Sequence, residues 1–302
     1  MFSIDKYDSG DWHIESVLSE KSFTKVYKIS KPEYYGIKTY AALKVIPVPQ
    51  SYSDISNLIS EGLSSEMIDH YINDQIKYIT APVQLMQKLR YSPNIAIYDD
   101  CKVIPKQGET GFLVLLRMEF LDSLSAAFSN RKLTENDTIK IGIDISRALE
   151  ALAPHKIVHR NVKPDNIFYS KSGNYKLSDF GIARQIEESS TNLSVRGTYS
   201  YMAPEVYHKL KYDNSVDLYS LGMVLYRFSN NGRVPFLPKT KPEMSDREKA
   251  LQQRLRGDPI PTPQAASPEL AKILLKALAY DRNDRFNSPT EMRKALERIY
   301  RA

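Results

Sequence analysis

Three short polar blocks in a fixed order constrain the fold of this chain more than any other feature of its sequence. The blocks are His159-Arg160-Asn161-Val162-Lys163-Pro164-Asp165-Asn166, Asp179-Phe180-Gly181 and Ala203-Pro204-Glu205. One such tripeptide occurs by chance, but three blocks in this order and at these separations leave little room for coincidence. Asn166 and Asp179 also offer the hard oxygen ligands that Mg²⁺ prefers.

The composition is that of a globular protein. Of the 302 residues, 42% are hydrophobic and 26% are charged, which is far from the low-hydrophobicity, high-charge composition of disordered chains. The net charge of +6 is mild and favours general solubility over a surface for acidic substrates or nucleotide phosphates, and we expect no nucleic-acid partner. Cys101 is the only cysteine, so an internal disulfide framework is excluded and a reducing compartment is favoured.

The sequence gives no sign of secretion or of a membrane span. Residues 1–10 are polar and acidic, unlike a signal peptide. No apolar run approaches the ~20 residues that a helix needs to cross a bilayer. We therefore expect a cytoplasmic domain that makes no membrane contact itself.

β-rich runs separated by polar turn residues predict a strand-rich first third, and the spacing of apolar residues predicts a mainly helical remainder. Strands are predicted at 12–17, 23–29, 40–46, 95–103 and 111–120, and two or more helices within 51–89, with Pro82 at a helix start or break. A capping sequence at Thr134 predicts a long buried helix after it. Further helices are predicted at 216–228, 246–255, 268–278 and 289–300.

The three blocks resemble the catalytic loop, the metal-binding motif and the end of the activation segment of eukaryotic-type Ser/Thr protein kinase domains. The resemblance covers nearly the whole chain. It implies an α+β, two-lobed fold: a small β-rich lobe at 1–121, with a helical insertion at about 51–80, and a larger helical lobe at 122–302. It also implies ATP and Mg²⁺ as cofactors, and a protein as substrate or scaffold partner.

The resemblance implies a role for each of a set of matched residues. The catalytic set is Lys44, Asn161, Lys163, Asn166, Asp179 and Thr198, with Asn166 and Asp179 as metal ligands. The nucleotide-binding set is Leu18, Lys21, Ser22, Val26, Ala42, Lys44, Met118, Glu119, Leu121, Phe168 and Asp179. Two further matches are architectural, namely Asp217 as an anchor of the catalytic loop and Arg285 as the ion-pair partner of Glu205.

Two positions indicate the Ser/Thr class. Lys163 and Thr198 match the Ser/Thr pattern rather than the tyrosine-kinase pattern. Arg160 precedes the catalytic position, as in kinases whose activation loop is ordered by phosphate. Phosphate acceptors of that kind are then expected within 189–194, although a merely flexible polar loop is an equal alternative.

The chain departs from the family pattern in three places. Asn161 replaces the catalytic aspartate, and an amide cannot accept the proton of a substrate hydroxyl as a carboxylate does. The phosphate loop at 18–27 has no glycine. Pro82 falls where a helix glutamate normally pairs with the lysine equivalent to Lys44, so Glu61 or Glu66 is an alternative partner.

Two hypotheses from different classes remain open. In one, the chain is an active Ser/Thr kinase domain that transfers the γ-phosphoryl group of ATP, and Asn161 is an inactivating substitution of its catalytic aspartate. In the other, it is a natural pseudokinase that acts as a nucleotide-binding or scaffolding module. We favour the first, because the roles of Lys163 and Thr198 in the family concern the transferred phosphate and the catalytic loop, which a domain without catalysis does not need. A small-molecule phosphotransferase is a weaker third hypothesis, because such enzymes generally lack the Ala-Pro-Glu block.

Overall fold

The computed structural model describes residues 11–21, 24–50, 52–106, 108, 110–179 and 199–300. The chain divides into two compact units. One comprises Met1–Tyr91 and Ala96–Leu121, and the other comprises Ser92–Ile95 and Asp122–Ala302. The first is built on a β-sheet and the second is mainly helical, so the α+β fold class predicted from the sequence is confirmed.

The first unit is built on an antiparallel sheet of five strands in the order β1-β2-β3-β5-β4. The strands are β1 (His13–Lys21), β2 (Thr24–Pro32), β3 (Lys38–Val48), β4 (Tyr98–Pro105) and β5 (Phe112–Glu119). Each predicted strand is present, with ends that differ by a few residues. The β4–β5 hairpin closes through the Lys106 N–H, which donates to the Gly111 carbonyl at 2.9 Å.

One face of this sheet carries an apolar core. Side chains alternate between the two faces of a strand, so residues two apart share a face. Trp12, before β1, packs against this core and lies under the guanidinium of Arg117, 5.2 Å from its ring centre. The buried core residues are Tyr27, Ile29, Ala41, Leu43, Val45, Leu113 and Leu115.

Two helices of the first unit follow β3. They are α1 (Tyr52–Ser60) and α2 (Ser65–Lys88), and α2 packs against strands of the sheet. The expectation of a helix start or break at Pro82 was wrong, because Pro82 lies inside α2. Proline removes one N–H from the helical ladder. Burial of Ile79, Val83 and Met86 on one face of α2 outweighs that loss and keeps the segment helical.

The second unit contains seven α-helices in its described residues, together with a small sheet of three short strands. The helices are α3 (Leu124–Ala127), α4 (Glu135–Leu152), α5 (Pro204–Tyr207), α6 (Ser215–Phe228), α7 (Met244–Arg256), α8 (Pro268–Ala277) and α9 (Pro289–Ile299). The strands are β6 (Asp122–Ser123), β7 (Ile167–Tyr169) and β8 (Tyr175–Leu177), paired in that order.

Helix α4 forms the centre of the second unit. Its start is the predicted one: the Thr134 hydroxyl accepts from the Asp137 N–H at 3.1 Å, and the Asp137 carboxylate accepts from the Thr134 N–H at 2.8 Å. The helix packs against α6, α9 and β8, and its isoleucines are buried. Within the described parts of the chain, no helix is both long and apolar enough to cross a lipid bilayer.

Candidate active site

The sheet of the first unit gathers four of the predicted nucleotide-binding residues on one face. Val26 lies opposite Lys44 across β2 and β3, and Ala42 lies opposite Met118 across β3 and β5. Directly opposed residues of antiparallel strands point to the same face, and Ala42 and Lys44 are two residues apart. All four therefore share the face opposite the apolar core. Lys44 is buried at 7% exposure, so its ammonium is held in a largely dry setting.

The chain leaves β5 through Glu119, Phe120 and Leu121. Glu119 Oε1 accepts a 2.7 Å hydrogen bond from the Ile97 N–H, and the Glu119 N–H donates to the Ile97 carbonyl at 3.0 Å. The Glu119 side chain is thus engaged by its own unit, which fixes the backbone at this point. Leu121, two residues after Glu119, is half-buried.

Several predicted positions near β1 remain predictions. Leu18 is 46% exposed and lies at an irregularity in the pairing of β1 with β2. Ser22 and the side chain of Lys21 lie outside the described residues.

Glu61 and Glu66 are both exposed, in the turn after α1 and in the first turn of α2. Pairing of either carboxylate with Lys44 stays a hypothesis.

The catalytic loop of the second unit is anchored by Asp217, as the resemblance implied. One carboxylate oxygen accepts from the His159 N–H at 2.6 Å and the other from the Arg160 N–H at 2.8 Å. Asp217 is 2% exposed on α6. A buried carboxylate is stable only when its oxygens are hydrogen-bonded, so the loop and the helix depend on each other.

His159 connects the catalytic loop to the residue before Asp179. Its Nδ1 accepts from the Asn161 N–H at 3.2 Å, so Nε2 carries the proton and donates to the Ser178 carbonyl at 3.1 Å. Complete burial of the ring lowers the pKa of His159 to about 4. His159 is therefore a neutral structural bridge between the catalytic loop and the residue before Asp179.

Asn166 is tied to the loop in the same way. Its Nδ2 donates to the Asn161 carbonyl at 2.8 Å, and its backbone carbonyl accepts from the Ser178 N–H at 2.9 Å. Arg160 and Asp179 have φ values of 63° and 60°, which are uncommon for residues with side chains. Backbone strain of this kind persists only where the surroundings fix it, and it clusters at functional sites.

The donor set fits a hard divalent cation. The amide nitrogen of Asn166 is used within the loop, so its Oδ1 is the atom left to bind a metal. Asp179 follows Ser178, whose N–H is bonded to the Asn166 carbonyl, so the two candidate oxygen ligands lie at neighbouring backbone positions. Mg²⁺ commonly takes one or two protein oxygens and completes its shell with phosphate and water.

Other predicted residues of this unit have defined places. Lys163 is half-buried, and its carbonyl accepts from the Asn166 N–H at 3.0 Å. Phe168 lies half-buried on β7, opposite Ser123 of β6. Thr198, Phe180-Gly181 and the candidate phosphate acceptors within 189–194 lie outside the described residues.

The predicted ion pair of Glu205 and Arg285 is present. Nη1 and Nη2 of Arg285 donate to Oε1 and Oε2 of Glu205 at 2.7 and 2.9 Å. This bidentate pair is buried and fixes α5 beside the segment that follows α8. The interpretation of both residues as architectural is supported by this geometry.

Two arginines that no sequence motif identifies hold residues 199–202. Arg254 of α7 donates to the carbonyls of Tyr199 and Met202, and Arg227 of α6 donates to the Tyr201 hydroxyl. Neither arginine belongs to one of the three motif blocks, and a bond from arginine to a distant backbone carbonyl leaves no pattern in the sequence.

The comparisons with known proteins agree with this geometry. Residues 64–300 match the family described as protein kinase domain. The chain is 31% identical over 222 residues to serine/threonine-protein kinase PknB of Mycolicibacterium smegmatis, covering 70% of this chain and 34% of that protein. It is 29% identical over 286 residues to serine/threonine-protein kinase 36 of Pongo abelii, covering 92% and 18%.

A third relative is serine/threonine-protein kinase unc-51 of Caenorhabditis elegans, which is 35% identical over 195 residues, covering 60% of this chain and 22% of the relative. This chain belongs to the protein kinase family, since the matched range covers most of its length. It spans 34% or less of the length of these three relatives. The first strands, including the predicted phosphate loop, lie before the range that matches the family.

Proposed function

We propose that this chain is a Ser/Thr protein kinase domain that binds ATP with Mg²⁺ and whose phosphoryl transfer to protein Ser/Thr is impaired by Asn161. The names of the relatives support the Ser/Thr class. The single observation that carries the proposal is the state of the catalytic loop. Its anchors, Asp217, His159 and Asn166, make their hydrogen bonds although Asn161 occupies the catalytic position.

Among the residues that the structure describes, Asn161 enters this network through its backbone. Its N–H donates to His159 and its carbonyl accepts from Asn166, so neither bond depends on the side-chain amide. An amide and a carboxylate have nearly the same shape, but only the carboxylate accepts a proton at neutral pH. A positioned general base typically contributes about 10²- to 10⁴-fold to rate, so the defect is one of chemistry rather than of architecture.

The other residues of the proposed site bind and orient the nucleotide. Lys44 supplies a buried positive charge for phosphate, and Val26, Ala42 and Met118 supply apolar surface on the same face of the sheet. Asn166 and Asp179 would hold Mg²⁺, which neutralises charge on the phosphates when bound. Lys163 supplies a further cation for the transferred group.

The test of this proposal is the variant Asn161→Asp. We expect it to incorporate phosphate from Mg-ATP on Ser or Thr, first by autophosphorylation within 185–195, detected by mass spectrometry of the tryptic peptides. The matched controls are the unmodified chain and Asn161→Asp combined with Asp179→Ala, which removes a metal ligand. Incorporation in Asn161→Asp that does not exceed either control would contradict the proposal.

The second candidate is a natural pseudokinase, and a specific observation favours it. The 18–27 segment lacks glycine, and α2 carries Pro82 where a glutamate is expected. On this hypothesis the chain is a scaffold that binds nucleotide weakly, and Asn161→Asp stays inactive. The encoding gene supplies an independent check, because an aspartate codon at position 161 would show that Asn161 is a substitution.

A further inference from the structure

Lys28 places its ammonium against two aromatic rings. Its Nζ lies 4.3 Å from the ring centre of Tyr40 and 5.0 Å from that of Phe120. The two ring centres are 6.4 Å apart, and the rings are inclined at 48°. A cation over a ring and within about 6 Å of its centre is attracted by the negative face of that ring. The three side chains therefore stabilise one another, and we call them the cation–aromatic cluster.

The cation–aromatic cluster continues the face of the sheet that carries the proposed nucleotide-binding residues. Lys28 on β2 lies opposite Ala42 on β3, and Tyr40 comes two residues before Ala42 on the same strand. Opposed residues, and residues two apart, share a face of an antiparallel sheet. Phe120 comes two residues after Met118, and its contact with Lys28 puts its ring on this face. The cluster therefore borders the apolar surface proposed for the base of ATP.

Phe120 lies between two residues of the proposed nucleotide-binding set, Glu119 and Leu121. The backbone of Glu119 is already fixed, because its N–H and its carboxylate both bond to backbone groups of Ile97. Strand β5 ends at Glu119, so residues 120 and 121 have left the strand ladder. The contact of the Phe120 ring with Lys28 supplies a second attachment, one residue further along the chain. Together the two attachments orient the backbone from Glu119 to Leu121.

Partial burial suits Lys28 to this role. Lys28 and Phe120 are half-buried, and Tyr40 is 41% exposed. Partial removal from water strengthens the attraction between an ammonium and a ring. Lys31, three residues further along β2, makes the same kind of contact elsewhere, since its Nζ lies 5.7 Å from the ring centre of Trp12 beside the apolar core. Lys31 therefore separates the effect of a cation–π contact as such from the effect of its place on the sheet.

We propose that Lys28 is a positioning residue for the base of the nucleotide: it holds the ring of Phe120 beside Tyr40 and so orients the backbone of residues 119–121. This inference rests on the proposed binding of ATP. Lys44 lies opposite Val26, and Lys28 is two residues from Val26 along β2, or about 7 Å. Lys28 is therefore displaced from the lysine proposed to bind phosphate, and its effect should be the same for neutral adenosine as for ATP.

The test measures the Kd of Mg-ATP by calorimetry, and that of adenosine by its competition with Mg-ATP. Lys28→Leu removes the charge and keeps an apolar side chain, whereas Phe120→Leu removes the ring and keeps the charge. We expect either variant to weaken both ligands by about 5-fold, the loss of a cation–π contact at a partly exposed site. Lys28→Arg keeps the contact and should stay within about 2-fold of the unmodified chain. The matched control Lys31→Leu should also stay within about 2-fold.

The two ligands separate positioning from simple attraction of charge. If Lys28→Leu weakens Mg-ATP but leaves the Kd of adenosine unchanged, Lys28 acts only through its charge on the phosphates, and the proposal is overturned. If Lys31→Leu reproduces the loss for both ligands, with an equal fall in Tm, the effect is one of general stability, and this too overturns the proposal.

A second measurement needs no nucleotide. Aromatic rings shield protons that lie over their faces, so the ε-methylene protons of Lys28 should resonate upfield of their usual position in the NMR spectrum of the free chain. Phe120→Leu should move them back. Absence of this shift, or an unchanged Kd in Lys28→Leu when the unmodified chain binds both ligands, overturns the role of Lys28. If the shift is present and the unmodified chain binds neither ligand, the proposed ATP binding fails, and the nucleotide role of Lys28 fails with it.

Discussion

The side-chain amide of Asn166 donates a 2.8 Å hydrogen bond to the backbone carbonyl of Asn161. Both residues are buried, at 4% and 6% exposure, so this bond is made away from water. The bond connects Asn166, a proposed metal ligand, to the backbone at position 161. It does not use the side chain of Asn161, which departs from the family pattern. We therefore expect the loop to keep its conformation when another residue of this shape occupies position 161.

Exchange of that amide for a carboxylate should destabilise the loop. Asn166→Asp replaces the donor by an acceptor that faces the Asn161 carbonyl, which leaves a buried carbonyl without its partner. We expect a loss of about 1–3 kcal/mol in the free energy of unfolding, measured by urea denaturation without nucleotide. The control is Asn174→Asp, since Asn174 Nδ2 donates at 3.3 Å to Ser172 near the surface. Equal losses in both variants would show that the Asn166 bond has no special role.

Lys44 should determine nucleotide affinity. We expect the chain to bind Mg-ATP with a Kd in the micromolar-to-millimolar range, about −4 to −8 kcal/mol, because the segment at 18–27 lacks glycine. Lys44→Met removes the buried cation and should weaken binding by about 10-fold or more, measured by calorimetry. Lys38→Met on the same strand, where the lysine is exposed, should bind like the unmodified chain. No heat of binding from the unmodified chain at millimolar Mg-ATP would refute nucleotide binding altogether.

The sequence predicted the larger elements well because their patterns are long. β-rich runs predicted all five strands of the first unit, and the capping sequence at Thr134 predicted the start of α4. The short elements α3, α5, β6, β7 and β8 were missed, since two to four residues give no periodicity. The prediction of a helix start or break at Pro82 was wrong, because burial of one helix face outweighed the unfavourable helix propensity of proline.

Residues that belong to a sequence motif could be predicted, and residues that are placed only by the packing of helices could not. Asp217, Glu205 and Arg285 were assigned correctly, because each belongs to a motif of fixed spacing. Arg254 and Arg227 were not assigned, because their acceptors lie 26 to 55 positions away and are backbone carbonyls or a tyrosine hydroxyl. Such contacts follow from how α6 and α7 pack, which the sequence pattern does not encode.

The buried ion pair of Glu205 and Arg285 should be costly to break from one side. Glu205→Gln leaves the Arg285 guanidinium, whose side chain has 0% exposure, without its counter-charge. We expect a loss of about 3–5 kcal/mol in the free energy of unfolding. The double variant Glu205→Gln with Arg285→Met should lose less than the sum of the single variants.

The exposed pair of Arg256 and Asp258 supplies the comparison for this measurement. Asp258→Asn should change the free energy of unfolding by under about 1 kcal/mol, because solvent screens the pair. Urea denaturation of Glu205→Gln, Arg285→Met, the double variant and Asp258→Asn measures these changes in the free energy of unfolding. Additive losses for Glu205 and Arg285 would show that the two residues act independently despite their bidentate geometry.

His159 should make stability depend on pH. Its pKa in the folded chain is about 4 because the ring is buried, whereas an unfolded histidine titrates near 6.5. Between these values the unfolded state binds the additional proton, so the free energy of unfolding rises with pH in that window. The free energy of unfolding begins to fall as the pH drops below about 6.5 and stops falling below about pH 4, with a total change of about 3 kcal/mol.

The hydrogen bonds explain why protonation is unfavourable at this site. A second proton would occupy Nδ1, which already accepts from the Asn161 N–H, and two donors would then face each other. Urea denaturation at several pH values between 4 and 7.5 measures the slope. His159→Gln should flatten that slope, whereas the control His155→Gln, at an exposed histidine, should leave it as it is. A slope that survives in His159→Gln would assign the pH dependence to other groups.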